Sequence, residues 1–139
     1  MVLVDTSVWV DFLRGVDSPH RLVLRGLISA EEEVCLADII LAEVLQGIRS
    51  DRDFRAVKRN LMEFPIYSLK GVESYVSAAM LYRRCRKCGI TLRGIIDCLI
   101  AQIAIEHGLV ILHKDRDFER IAKVEKNLRV LPLPAPPFR

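Results

Sequence analysis

Short unbroken apolar runs recur along this chain, separated by longer stretches in which apolar residues return every three or four positions. The first run is Met1-Val2-Leu3-Val4, stopped by Asp5. A run without alternation predicts a strand covered on both faces, as in a parallel sheet. Asp5, Thr6 and Ser7 are helix-start residues, and Val8, Trp9, Phe12 and Leu13 follow at helical spacing up to Gly15. The opening therefore reads as strand, acidic tip, helix. Ser18-Pro19 opens a second helix through Leu22, Val23, Leu27 and Ile28. Val34-Cys35-Leu36-Ala37 is a second strand, with Asp38 as N-cap of a helix over 39–48.

A charged amphipathic helix is expected over 51–64, and 65–69 is a short candidate edge strand. Val72, Tyr75, Val76, Ala79, Met80 and Tyr82 mark the next helix, which runs into a basic end. Residues 94–107 predict a helix closed by Gly108, in the position past a helix end that favours glycine. Leu109-Val110-Ile111-Leu112 is the clearest strand. A short helix over 118–122 and a last strand over 128–131 follow. Strands alternating with helices predict an α/β sandwich around a mostly parallel sheet. The expected organisation is one domain over 1–131 and a tail over 132–139, where four prolines in the nine residues 131–139 disfavour helix.

The 139 residues are 51% apolar and 28% charged, which excludes a disordered chain, and this length buries a core without disulfide or metal staples. No apolar run approaches the ~20 residues of a membrane span. Asp5 and Asp11 interrupt the apolar start, so no secretory leader is expected and the cytoplasm is the expected location. The net charge of +3 is compatible with a polyanionic partner without demanding one. Of four cysteines, only Cys85 and Cys88 have C-x-x-C spacing. They lack a second pair for zinc and a preceding βαβ unit for redox chemistry, so unpaired thiols are expected.

The chemistry lies in the acids. In a parallel α/β fold, sites form outside the carboxyl ends of the strands. Asp5 directly follows the first strand, and Asp115 comes three residues after Leu112. Glu43 and Asp97 sit within apolar stretches of helices. Singly, each could be the polar side of a helix, and Asp97 could complement a helix dipole. As a set, four carboxylates in low dielectric repel one another and acquire raised pKa values, a conflict that a divalent cation removes. Oxygen donors without a His or Cys cluster point to Mg²⁺ or Mn²⁺. An acidic metal pocket in a basic chain suggests phosphodiester chemistry. Arg83, Arg84, Arg86, Lys87 and Arg93 form a run with no acid among them, a candidate nucleic-acid contact or else a solvated face.

Four segments resemble the motifs of PIN-domain ribonucleases, specifically VapC toxins of type II toxin–antitoxin systems. They are residues 2–15 around Asp5, Ala42-Glu43-Val44-Leu45-Gln46-Gly47, Asp97-Cys98-Leu99-Ile100-Ala101, and residues 112–118 around Asp115. They occur in family order and span residues 2–122. The resemblance implies a three-layer α/β/α PIN-like domain and a Mg²⁺-dependent endoribonuclease. Asp5, Glu43, Asp97 and Asp115 would form its acidic pocket, with Asp5 and Asp97 as direct metal ligands. Thr6 matches a position whose hydroxyl supports the first carboxylate. A homodimer, a VapB-like antitoxin and structured RNA targets such as tRNA or rRNA are also implied. His113 stands where many members have Thr or Ser. Asp115 fits the fourth acid, leaving Asp117 to cap a helix from Phe118, and Asp11 and Asp38 take structural roles. Trp9, Phe12 and Phe54 are either core or anchors for an antitoxin. The competing reading is a catalytically silent PIN-like domain that binds RNA or a partner, and a phosphatase or DNA nuclease on the same acids also stays open.

Overall fold

The computed structural model describes residues 1–133; residues 134–139, most of the proline-rich tail, lie outside the described part. Five strands, β1 (Val2–Val4), β2 (Val34–Ala37), β3 (Ile66–Tyr67), β4 (Val110–Leu112) and β5 (Arg129–Val130), form one sheet in the order β3-β2-β1-β4-β5. Every pairing is parallel, so the sheet is wholly rather than mostly parallel. Seven helices connect the strands: α1 (Thr6–Arg14), α2 (Pro19–Ser29), α3 (Asp38–Gln46), α4 (Asp51–Leu61), α5 (Val72–Lys87), α6 (Ile96–His107) and α7 (Arg116–Val124). Helices α1 to α4 pack among themselves, as do α5 to α7. Right-handed crossovers put the first group on one face and the second on the other.

The apolar runs explain the sheet. All four residues of β2 are buried, as are Leu3, Val4, Ile111 and Leu112 of the two central strands. Parallel strands must be covered on both faces, and these residues supply apolar side chains to both. Trp9 is 1% exposed and stacks near Phe12 and Phe64, so it is core. Phe12 is half-buried and Phe54 exposed.

Helix ends differ from expectation where a polar side chain chose another partner. Ser18 caps α2 by accepting the Arg21 amide, and Gly108 closes α6 at φ +64°, a left-handed conformation suited to glycine. The α3 N-cap is Ala37, not Asp38. Asp38 already lies in the helix, where its carboxylate accepts the Ser68 hydroxyl at 2.8 Å and ties α3 to the segment after β3. Asp11 is buried and accepts Lys114 Nζ at 2.5 Å, which clamps α1 to the loop between β4 and α7. That hydrogen bond gives Asp11 the structural role expected of it. Cys35, Cys85 and Cys98 are buried, Cys88 is exposed, and all four are free thiols.

Candidate active site

Strand order reverses at the centre of the sheet. The chain leaves β1 toward β2 on one side and leaves β4 toward β5 on the other, so a crevice opens where those connections part. Asp5 lies at this point, and its amide donates to Leu112 O at 2.9 Å, which fixes the two strand ends together. Asp115 follows β4 across the crevice. Asp97, second residue of α6, enters from the helix that packs on α5 and α7. Carboxylate oxygens of Asp97, Asp115 and Asp117 lie within 4.8 Å of one another.

The environment resists ionisation. Burial pushes the Asp97 carboxyl up to about 7, with repulsion from Asp5, Asp115 and Asp117 adding to it and Arg93 opposing. Burial also raises Asp5 above its ordinary value, against hydrogen bonds from the Ser7 hydroxyl and the Thr6 and Ser7 amides; Glu43 adds repulsion. Glu43 is anchored by the Thr6 hydroxyl, which donates to Oε1 at 2.8 Å. Arg93 is the local counter-charge. It bonds Asp115 and stands 3.8 Å from Asp117 Oδ2 with its own side chain 80% exposed, and those acids hold it firmly protonated.

Two sequence expectations change, and the basic run divides. The Thr6 hydroxyl serves Glu43, and the hydroxyl on the first carboxylate is that of Ser7, 2.9 Å from Asp5 Oδ2. Adjacent hydroxyls at a strand-to-helix turn point to different sides, and spacing alone does not say which reaches which acid. Asp117 is not a cap. Helix α7 begins at Arg116, and Asp115 itself caps it, accepting the Asp117 amide at 3.0 Å. Asp117 is buried inside the acidic cluster, and its Oδ2 has no hydrogen-bond partner. Its position two residues after Asp115, at the start of a helix, was the available signal, but it fits a ligand and a cap equally. Finally, the basic run does not converge. Arg84 pairs with Glu125 at 2.6 Å and Arg86 lies over the Tyr82 ring, while Arg93 alone of the five is seen at the acids. His113 is buried against Phe118, with Nε2 3.3 Å from Glu119 Oε1.

The donor set fits a hard divalent cation: all-oxygen, negatively charged and crowded, with one buried carboxylate oxygen that has no hydrogen-bond partner among the described residues. Asp97, Asp115 and Asp117 would hold it, and Asp5, expected as a direct ligand with Asp97, is close enough to Asp97 to repel it.

The fold is that of one family. A PIN-domain model matches residues 2–124, and the chain belongs to the PIN-domain family. Ribonuclease VapC11 of Mycobacterium tuberculosis is 36% identical over 125 residues, covering 89% of this chain and 93% of that protein. A VapC ribonuclease of Mycobacterium bovis matches to the same extent. Within the PIN domains, the chain is thus one of the VapC ribonucleases. Solved structures share the fold: VapBC2 of Rickettsia felis bound to a promoter DNA fragment, at TM-score 0.72 and 16% identity over 94% of this chain and 98% of that one. VapBC-1 of nontypeable Haemophilus influenzae gives 0.70 and 16%, over 94% and 97%. No helix among the described residues is long and apolar enough to cross a membrane.

Proposed function

We propose that this chain is the toxic half of a toxin–antitoxin pair, an endoribonuclease whose pocket comprises Asp5, Glu43, Asp97 and Asp115 with Asp117 as a fifth acid. The observation that carries the reading is the convergence of carboxylates from four separate segments on the switch point of the sheet, two of them forced above their ordinary pKa. Crowding of that kind costs stability and is retained where a cation offsets it.

Mg²⁺, with Mn²⁺ as substitute, would supply Lewis-acid polarisation of a phosphate and a lowered pKa for water. The protein's own part is orientation. Ser7 fixes the Asp5 carboxylate and Thr6 fixes Glu43, so the two acids keep their rotamers without a ligand. With its pKa pushed up to about 7, Asp97 holds its proton far more readily near neutral pH than an exposed carboxylate does. Cation binding displaces that proton, so affinity rises with pH.

The test is hydrolysis of RNA, DNA and a small phosphoester by the purified chain, with Mg²⁺ and with EDTA. RNA cleavage that needs Mg²⁺ and is abolished by Asp5→Asn is the expected result. Tight RNA binding without cleavage would instead identify a silent binding domain.

A VapB-like antitoxin would lie in the groove of about 460 Å³ between α1, α3 and α4, whose apolar wall of Val10, Leu13, Val44 and Ile48 ends at Glu43. The exposed stripe Val72, Tyr75, Val76 and Met80 on α5 supports a homodimer. The RNA target would be a structured RNA such as tRNA or rRNA, met in the cytoplasm.

A further inference from the structure

We infer that the cleft beside the acidic pocket, between the 88–95 loop and the start of α7, is a seat for the RNA phosphate adjoining the cleaved one, held by Arg93, Arg116 and Arg120, a subsite that rests on the ribonuclease reading above. Two cavities open next to each other on this face. One, of about 350 Å³, is lined by Glu43, Asp97, Ile96 and Gly94. The other, of about 520 Å³, has a rim of Thr91, Lys114, Arg116 and Arg120. Arg93 lines both and forms the partition between them.

The two cavities have opposite electrostatic character. The first is acidic and suits a cation. The second carries four basic side chains over a floor of Asp115 and Asp117. Lys114 is committed to Asp11 at 2.5 Å. Arg120 reaches Asp117 only at 3.6 Å, outside hydrogen-bonding distance, and Arg116 has no ion pair among the described residues. Guanidinium groups with unused N–H donors match phosphate oxygens in pairs, which a lone ammonium does not. A cavity of 520 Å³ also falls in the range that holds a nucleotide-sized group. A strand with one phosphate at the acids and its neighbour in the basic cleft satisfies both cavities and passes Arg93 between them.

The basic run on α5 is the natural comparison. Arg83 and Lys87 carry the same charge as Arg116 and Arg120 but line neither cavity. Binding of a short fluorescent single-stranded RNA by the full chain in EDTA would be followed by anisotropy over a salt series, with the RNA checked intact. Arg116→Gln with Arg120→Gln is expected to weaken binding about tenfold and to lower the slope of log affinity against log salt by roughly 0.7 for each phosphate no longer neutralised. Arg83→Gln with Lys87→Gln should change affinity less than about twofold, as a general reduction of charge screened by salt would. Equal effects from the two pairs would overturn the subsite, as would poly-glutamate competing as well as RNA does. If the double variant does not fold, Arg116→Gln alone, exposed and without an ion pair, gives the same comparison with half the slope change. Mg²⁺-dependent RNA cleavage by the native chain, assayed separately, keeps failure of the subsite distinct from failure of the ribonuclease reading.

Discussion

Replacing Asp97 by Asn should make the metal-free protein more stable, and only above the acid range. The unfolded chain ionises Asp97 near 3.8, whereas the folded chain does so at about 7. Between those values the native state holds the proton more tightly, so stability falls as pH rises from about 4 to 7 and stays low above it. A shift of this size corresponds to at most about 4 kcal/mol, and the open mouth of the pocket reduces it to roughly 2–3 kcal/mol. Asparagine keeps the shape and never ionises. Urea unfolding in EDTA, followed by fluorescence of the single buried Trp9, would compare native and variant chains. With an m-value of roughly 2 kcal/mol per molar urea, the variant midpoint should exceed the native one by about 1 M near pH 8 and match it near pH 4. Mg²⁺ should close most of that gap by stabilising the native chain alone. Parallel pH profiles for the two proteins in EDTA would refute the idea that Asp97 is held in a repulsive cluster.

Other perturbations follow from single side chains. Asp117→Asn should weaken Mn²⁺ binding by tenfold or more with little change in helicity by circular dichroism; a mere cap would show the reverse. Thr6→Val should free Glu43 and lower RNA cleavage about tenfold with unchanged RNA affinity, and Thr6→Ser should restore it, as kcat and KM measured separately would show. Lys114→Met strands a buried Asp11 and should cost about 2–3 kcal/mol in urea unfolding at neutral pH. The Lys114 hydrogen bond lowers the Asp11 pKa below its usual value, so this stabilisation is present above about pH 4 and disappears as pH falls further.

The sheet was legible because its strands are unbroken apolar runs, and burial on two faces leaves few other uses for Val34-Cys35-Leu36-Ala37 or Leu109-Val110-Ile111-Leu112. The positions of Asp5 and Asp115 followed from where those runs stop. What escaped was decided by side-chain direction rather than by spacing. Thr6 and Ser7 are neighbours with similar hydroxyls, yet one crosses to Glu43, 37 residues away, and the other turns back on Asp5. Asp115 and Asp117 could exchange roles in any linear pattern; the start of α7 ahead of its apolar residues makes Asp115 the cap and buries Asp117. The partners of the basic run were equally hidden, because consecutive residues of α5 point to different sides while Arg93, beyond the helix end, folds back over the acids.

The central place of β1 also governs when this protein can first act. Its three residues pair on one side with β2 and on the other with β4, more than a hundred positions later. During synthesis, a ribosome must therefore deliver everything through Leu112 before the first strand gains its second neighbour, and through Asp117 before the acid cluster is complete. Long-range parallel pairing of this kind is slow to form. A chain released before β4 is made leaves Asp5 without the strand whose last carbonyl accepts its amide. Whatever damage the folded enzyme can do, its makers have a grace period that lasts at least until those later segments have been translated.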